Sequence, residues 1–213
     1  ETIRRLVADG QLGTLHAVDI EYRTSGFPDP SAPLTWRQDA RLSGNNIMAL
    51  GIWYESLMRW IGEARSVWAA GRVSVPIRPS PEGPRSVRIP DHLDVVAQME
   101  CGAQARFQFS AITGPEPANR ATLYGSEAAL RFENGSLHVL RKDSAAPQPI
   151  DIPEHERSSW RVEQDFVEAI RGERDVTLTD FGTGVRYMEF TDAVWLSMQE
   201  RRTIQLPLQG AGA

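Results

Sequence analysis

Residues 92–112 read HLDVVAQMECGAQARFQFSAI, and their pattern decides the fold class. Two segments of this stretch alternate apolar and polar side chains with a period of two, as a half-buried β-strand does. The odd-numbered positions are apolar: Leu93, Val95, Ala97 and Met99 in the first segment, and Ala105, Phe107, Phe109 and Ala111 in the second. The segments meet at Cys101-Gly102, and this short connection predicts a tight antiparallel hairpin.

The same alternation recurs elsewhere in the chain. It runs through LHAVDIEYR at residues 15–23 and through SVWAAGRVSV at residues 66–75. Further along, Asn134-Gly135 separates two alternating segments and favours a type I′ hairpin turn, because both residues tolerate positive φ. We therefore expect a sheet with one apolar face for helices to cover and one polar face left open.

Helical spacing of apolar residues marks four other segments. We predict helices over residues 1–9, ending at Gly10; over 45–61, with Asn45 as the cap and Gly62 as the end; over 159–171, ending at Gly172; and from near Thr179 or Asp180 through VRYMEFTDAVWLSMQE. IQLPL, residues 204–208, suits a final strand. The element order predicts an α+β fold, with helices packed on one face of a mainly antiparallel, open-faced sheet. We expect one domain over residues 1–208 and a disordered tail over 209–213.

Composition and net charge indicate which partners, cellular location and metal sites to expect. The 213 residues carry a formal net charge of −5 and a pI near 5.5, so nucleic acid is not an expected partner. No run of about 18 apolar residues occurs, and we expect no membrane span. The single cysteine, Cys101, cannot form an internal disulfide, which favours a reducing, cytoplasmic location. The four histidines lie in separate segments without metal-ligand spacing, so we expect no metal site.

The region around the helix predicted at 45–61 resembles a known family. The residues that carry the resemblance are Trp36, Arg37 and Asp39, the run Ser43-Gly44-Asn45-Asn46, Gly51 inside the helix, and Arg59, Trp60 and Gly62 at its end. TLYGSEAALRF at 122–132, FVEAIRGERDV at 166–176 and the closing IQLPL add to it. Together they resemble the C-terminal domain of the glucose-fructose oxidoreductase, inositol dehydrogenase and rhizopine catabolism (Gfo/Idh/MocA) family, from about Glu1 to Leu208.

The resemblance implies a larger protein. Members of the family carry an N-terminal Rossmann domain that binds NAD or NADP, and the Gly-rich G-x-G-x-x-G fingerprint of such a domain does not occur here. Glu1 opens the chain directly in an amphipathic segment, and we expect the chain to begin within a longer protein. We expect the C-terminal part of an NAD(P)-dependent oxidoreductase acting on a sugar or cyclic polyol, inactive without its Rossmann domain. The alternative is a non-catalytic sugar-binding or oligomerisation scaffold.

The resemblance also points to candidate site residues. Aligning the family's inner glycine on Gly51 places its aspartate on Ala49 and its histidine on Trp53. Alanine and tryptophan cannot exchange the proton that accompanies hydride transfer, so no catalytic acid–base pair is intact. The candidate substrate-binding residues are Trp36, Arg37, Asn45, Asn46, Trp53 and Tyr54.

Some of these residues have a second interpretation. Trp53 suits either a platform for the apolar face of a ring or a place in the packed core. Arg37 suits either a hydrogen bond to substrate or an ion pair with Asp39 or another surface carboxylate. Tyr54 could assist proton transfer only if its pKa were lowered.

The polar sheet face is a candidate subunit interface. Its expected members are Arg72, Asp94, Gln98, Glu100, Arg106, Gln108 and Ser110. Trp68 and Val96 fall on the same side, where water is a poor partner for them. The resemblance implies a homodimer or tetramer formed through this face, and the alternative is a solvated sheet face.

Overall fold

The computed structural model describes residues 1–24, 26–157, 161–176 and 180–208. The α-helices of these residues are α1 (Thr2–Ala8), α2 (Ala40–Ser43), α3 (Leu50–Ile61), α4 (Val162–Ile170) and α5 (Phe181–Glu200). The strands are β1 (Leu15–Arg23), β2 (Ala64–Arg72), β3 (Ile77–Arg78), β4 (Arg85–Ser86), β5 (His92–Met99), β6 (Gln104–Ser110), β7 (Ala118–Gly125), β8 (Ala128–Glu133), β9 (Ser136–Arg141), β10 (Gln148–Ile150) and β11 (Ile204–Gln205). Short 3₁₀ turns occupy Trp36–Gln38 and Glu154–Glu156.

Nine strands form one sheet in the order β10-β9-β8-β7-β1-β6-β5-β2-β11. β1 runs parallel to β6, and the other neighbouring pairs of this sheet are antiparallel. The hairpin predicted at Cys101-Gly102 joins β5 to β6. Asn134 and Gly135 join β8 to β9 with φ angles of 48° and 83°, as a type I′ turn requires. Both hairpin predictions are confirmed.

The core lies between the sheet and the helices α3 and α5. Val95 and Phe107 face it from the sheet, and Leu57 and Phe190 face it from the helices; all four are fully buried. The backbone N–H of Ala69 on β2 donates to the Ser197 hydroxyl of α5 at 2.9 Å, which fixes the helix along the sheet. The predicted α+β fold, with helices on one face of a mainly antiparallel sheet, is confirmed.

One predicted helix starts later than its sequence pattern indicates. α3 begins at Leu50, so residues 45–49 precede the helix, and Asn45 does not cap it. Gly44 and Met48 have positive φ angles of 60° and 47°, which a right-handed helix does not allow. The short helix α2, which the sequence did not predict, comes just before this turn.

Other boundaries differ by a few residues. β2 ends at Arg72 rather than Val75, because the N–H of Ser74 donates to the Asp91 carboxylate and turns the chain out of the sheet. α5 starts at Phe181 with Asp180 as its cap, and Asp180 is one of the two starts that the sequence predicted. Some predictions fall outside the described residues: Thr179 as a helix start, the first residues of the helix predicted at 159–171, and the tail predicted at 209–213.

Candidate substrate site

The segment between β1 and α3 carries most of the candidate residues. Its first turn is held by the Gln38 side chain, which accepts a hydrogen bond from the N–H of Thr35 at 3.1 Å. Asp39 then caps α2 by accepting from the N–H of Arg41 at 3.0 Å. The Ser43 hydroxyl donates to the carbonyl of Arg37 at 3.1 Å, which draws the two halves of the segment together. Local hydrogen bonds thus hold a segment that lies on the surface.

Asp39 is the electrostatic centre of this segment. The Arg41 guanidinium lies 2.7 Å from its carboxylate, and this hydrogen bond, with the one from the Arg41 N–H, lowers the pKa of Asp39 to about 2. The ion pair that the sequence allowed between Arg37 and Asp39 is therefore made by Arg41 instead.

Trp36 and Arg37 form a pair on the surface. The Trp36 side chain is 56% exposed, and the Arg37 guanidinium lies 4.3 Å from the centroid of its ring. At this distance the cation is attracted to the face of the indole. The guanidinium therefore lies over one face of the indole, and the pair brings an aromatic ring and hydrogen-bond donors together on the surface.

Asn45 connects this segment to the long helix α5. Its side-chain amide donates to the Asp192 carboxylate at 2.9 Å, across a separation of 147 residues. Asn46 next to it is exposed. Sequence reasoning missed Asp192, since nothing in the local pattern of α5 marks this carboxylate as a neighbour of Asn45.

Ala49 and Trp53 lie four residues apart at the start of α3. The N–H of Trp53 donates to the carbonyl of Ala49 at 3.1 Å, so both side chains project from one side of the helix. Trp53 is only 7% exposed, and its ring meets that of Trp60 edge to face with centroids 6.5 Å apart. This burial favours the packed-core interpretation of Trp53, because its ring face is not open to a sugar.

Tyr54 is also part of the core. Its ring stacks on Phe190, and its hydroxyl accepts a hydrogen bond from the N–H of Ala64 at 3.0 Å. Burial raises the pKa of Tyr54 to about 12, partly offset by that hydrogen bond. The shift is in the wrong direction for a base at neutral pH, so Tyr54 does not supply the missing proton acceptor.

Three of the candidate residues, Trp36, Arg37 and Asn46, lie on an open surface of the chain, whereas Trp53 and Tyr54 are buried. Two partly open cavities of the described residues lie elsewhere: one of about 310 Å³ is bordered by residues 135–138 and 149–152, and one of about 320 Å³ by residues 22–24 and 117–119. Within the described ranges, no group of three or more His, Cys, Asp or Glu side chains is placed to hold a metal ion. None of the described helices has the length and apolar character to cross a lipid bilayer.

A family model described as the GFO/IDH/MocA C-terminal domain matches residues 1–131. The chain belongs to this family. The matched residues include the segment between β1 and α3 that carries most of the candidate residues, and they include α3 itself. No curated protein matches the sequence.

Solved structures of several oxidoreductases share the fold over nearly the whole chain. An oxidoreductase domain protein from Kribbella flavida is 24% identical, with a TM-score of 0.79 over 97% of this chain and 63% of its own length. An NAD binding oxidoreductase from Klebsiella pneumoniae is 18% identical, with a TM-score of 0.81 over 96% and 62%. Levoglucosan dehydrogenase in complex with NADH and L-sorbose is 19% identical, with a TM-score of 0.79 over 97% and 62%. The chain thus spans about three fifths of the length of these structures.

Proposed function

We propose that this chain is the substrate-binding, C-terminal part of an NAD(P)-dependent oxidoreductase that acts on a sugar or cyclic polyol. The observation that carries the proposal is the exposed pair of Trp36 and Arg37 in a chain of this family, with the half-buried Asn45 and the exposed Asn46 later in the same segment. An aromatic ring suits the apolar face of a sugar ring, and guanidinium and amide groups suit its hydroxyls. The solved complex of levoglucosan dehydrogenase with NADH and L-sorbose supports the same substrate class.

The candidate residues have different roles in this proposal. Trp36, Arg37, Asn45 and Asn46 contact the substrate, and Asp192 fixes the orientation of the Asn45 amide. Trp53 and Tyr54 support the segment from the core and do not touch the substrate, because both are buried. NAD or NADP is held by a nucleotide-binding domain outside this chain, which supplies the hydride acceptor.

The proton acceptor of the reaction belongs to that other domain as well. Ala49 and Trp53 cannot exchange a proton, and the raised pKa of Tyr54 keeps its hydroxyl protonated at neutral pH. The chain alone is therefore inactive. Its exposed, unpaired Cys101 is compatible with a reducing compartment, and we place the protein in the cytoplasm.

The full-length gene product tests this proposal. We expect about 120 residues upstream of Glu1 to form a domain that includes a strand, a G-x-G-x-x-G turn and a helix. We also expect the complete protein to reduce NAD⁺ or NADP⁺ with at least one sugar or polyol. An unrelated upstream domain would contradict the proposal. Bound nucleotide without turnover across a sugar and polyol panel would favour the scaffold alternative. That alternative is supported by the loss of a proton-exchanging pair at positions 49 and 53.

We also propose that the open sheet face joins two copies of the protein. Trp68, 43% exposed, lies beside Val96 on the paired strand β5. Charged groups on this face already satisfy one another: Arg106 pairs with Asp19 at 3.0 Å, and Arg120 pairs with Glu21 at 2.9 Å. Paired charges are less costly to cover than free ones, which favours an interface.

One residue expected on this face is not available to a partner. Ser110 is fully buried, and its hydroxyl lies 3.0 Å from Nδ1 of the His92 ring. The variant Trp68→Glu should convert a dimer or tetramer to monomers in multi-angle light scattering. Trp36→Glu, at an exposed tryptophan away from the sheet, is the matched control and should leave the mass unchanged. A wild-type chain that is strictly monomeric at micromolar concentration would contradict this assembly.

A further inference from the structure

The β3–β4 hairpin, residues 77–86, has no part in the proposed function, yet it contacts the segment that does. Its two short strands pair antiparallel, apart from the main sheet. The N–H of Leu34 donates to the carbonyl of Pro79 in this hairpin at 2.8 Å. The hairpin is therefore bonded to the chain two residues before Trp36, at the start of the exposed Trp36–Arg37 pair.

Arg78, the last residue of β3, makes two further contacts with the same segment. Its Nη1 donates to the carbonyl of Asp29 at 2.9 Å and to the carbonyl of Ala32 at 3.2 Å. The Asp29 carboxylate is turned to Ser31 instead, and it accepts from the N–H and the hydroxyl of Ser31 at 2.8 and 2.6 Å. One guanidinium nitrogen thus joins two turns of the segment to the hairpin through backbone carbonyls.

The Arg78 guanidinium is costly to keep where it lies. The residue is 7% exposed. Within the described ranges, no carboxylate forms an ion pair with it, and its buried Nε has no hydrogen-bond partner. Replacing a buried charge that is compensated only in part by an apolar side chain of similar size is often neutral or stabilising. The geometry therefore favours a role for Arg78 in the segment that it holds rather than in the stability of the fold.

The hairpin also reaches the segment beyond the exposed tryptophan–arginine pair. The charge of Arg85 in β4 helps to lower the pKa of Asp39, after the hydrogen bonds from Arg41. Asp39 follows the pair by two residues, and the contact at Leu34 precedes it by two. The hairpin thus borders the segment on both sides of the pair.

We infer that Arg78 is a positioning residue for sugar binding, which acts by fixing where the Trp36–Arg37 pair lies. The inference rests on the proposed function. Residues 27–35 form neither helix nor strand, so the contacts to the hairpin decide where this stretch of backbone lies. Arg78 does not touch the sugar. Without it the segment takes other positions, and the apparent affinity for the sugar falls with the fraction of molecules that are competent to bind.

Steady-state kinetics of the full-length protein test the inference, with the sugar or polyol of the panel that has the highest kcat/KM. Arg78→Met should raise KM about 10-fold and change kcat less than about 2-fold, because saturating sugar restores the binding-competent segment. Arg78→Lys keeps a charged nitrogen donor and should recover part of the lost affinity. Arg88→Met changes an exposed arginine outside the hairpin, so this matched control should leave KM unchanged. An unchanged KM in Arg78→Met would overturn the inference.

A double-mutant cycle with Trp36→Ala separates positioning from a general structural role. In the Trp36→Ala background, Arg78→Met should raise KM less than about 3-fold, because a main group that Arg78 positions is already gone. Additive effects of the two changes would overturn the inference. The urea midpoint of Arg78→Met in this chain should not fall below that of the wild type. A lower midpoint would assign Arg78 to the stability of the fold and would overturn its positioning role.

Hydrogen–deuterium exchange of this chain tests the inference without a sugar. The amides of residues 29–38 should exchange at least about 10-fold faster in Arg78→Met, because the segment opens locally more often. Equal exchange would overturn the inference. Turnover by the full-length wild type tests the proposed function separately. Turnover with the same KM in wild type and Arg78→Met would overturn the role of Arg78 and leave the proposed function standing, whereas no turnover of any panel member would overturn both.

Discussion

The variant Trp53→Ala distinguishes a core residue from a substrate platform. A tryptophan side chain buries about 150–250 Å². At about 25 cal/mol per Å² this corresponds to about 4–6 kcal/mol, part of which the alanine methyl group and local relaxation retain. Because Trp53 is 7% exposed and packs edge to face against Trp60, we expect the free energy of unfolding to fall by about 3 to 5 kcal/mol.

Urea unfolding followed by far-UV circular dichroism measures this loss, since a shift of the midpoint at constant slope reports stability alone. Trp36→Ala is the matched control. Trp36 is exposed and loses mainly its contact with Arg37, so its cost should stay below about 1 kcal/mol, while its effect on sugar binding should be large. A loss below about 1 kcal/mol for Trp53→Ala, together with weakened sugar binding, would refute the core assignment and restore the platform.

Two further variants probe groups with shifted pKa values. Tyr54→Phe should lower stability by about 1 to 3 kcal/mol, because the buried N–H of Ala64 loses its acceptor. With a pKa of about 12 in the fold against about 10 when unfolded, Tyr54 should also make the wild type lose stability as the pH rises from about 10 towards 12, a decline that the phenylalanine variant lacks. Asp39 has a pKa of about 2 in the fold against about 3.9 when unfolded, so its contribution is complete above about pH 4 and lost as the pH falls towards 2; Asp39→Asn should flatten that acid limb. Urea titrations across pH check both, and variants that follow the wild-type curve would contradict the two assignments.

Much of the fold could be predicted because its signals are local. The alternation in β5 and β6 assigns Val95 and Phe107 to the core, and the Asn134-Gly135 turn fixes the pairing of β8 with β9, within a short stretch of chain. The late start of α3 could not be predicted, since the positive φ of Met48 is set by the packing of the turn rather than by a glycine.

The candidate site was less predictable because its contacts depend on the packing of elements that are distant in sequence. Asn45 contacts Asp192 only because α5 packs against its segment. Asp39 pairs with Arg41 rather than Arg37, although both arginines are two residues away in sequence. The sequence left Trp53 open between platform and core, because helical spacing gives the side of the helix but not the depth to which other elements cover it. The sequence pattern of α4 predicted its helix correctly, yet gave no sign that its apolar side stays exposed in this chain.

The absorbance of reduced nucleotide, measured for the full-length protein with NAD⁺ or NADP⁺ across a panel of sugars and cyclic polyols, tests whether this chain is the substrate-binding part of an oxidoreductase. We expect turnover with at least one of them, and Asn45→Ala should lower kcat/KM by about 2- to 10-fold without changing nucleotide affinity, because one neutral hydrogen bond is lost. Nucleotide binding without turnover of any member of the panel, or an Asn45→Ala variant with unchanged kcat/KM, would contradict the assignment of this chain as the substrate-binding part of an oxidoreductase.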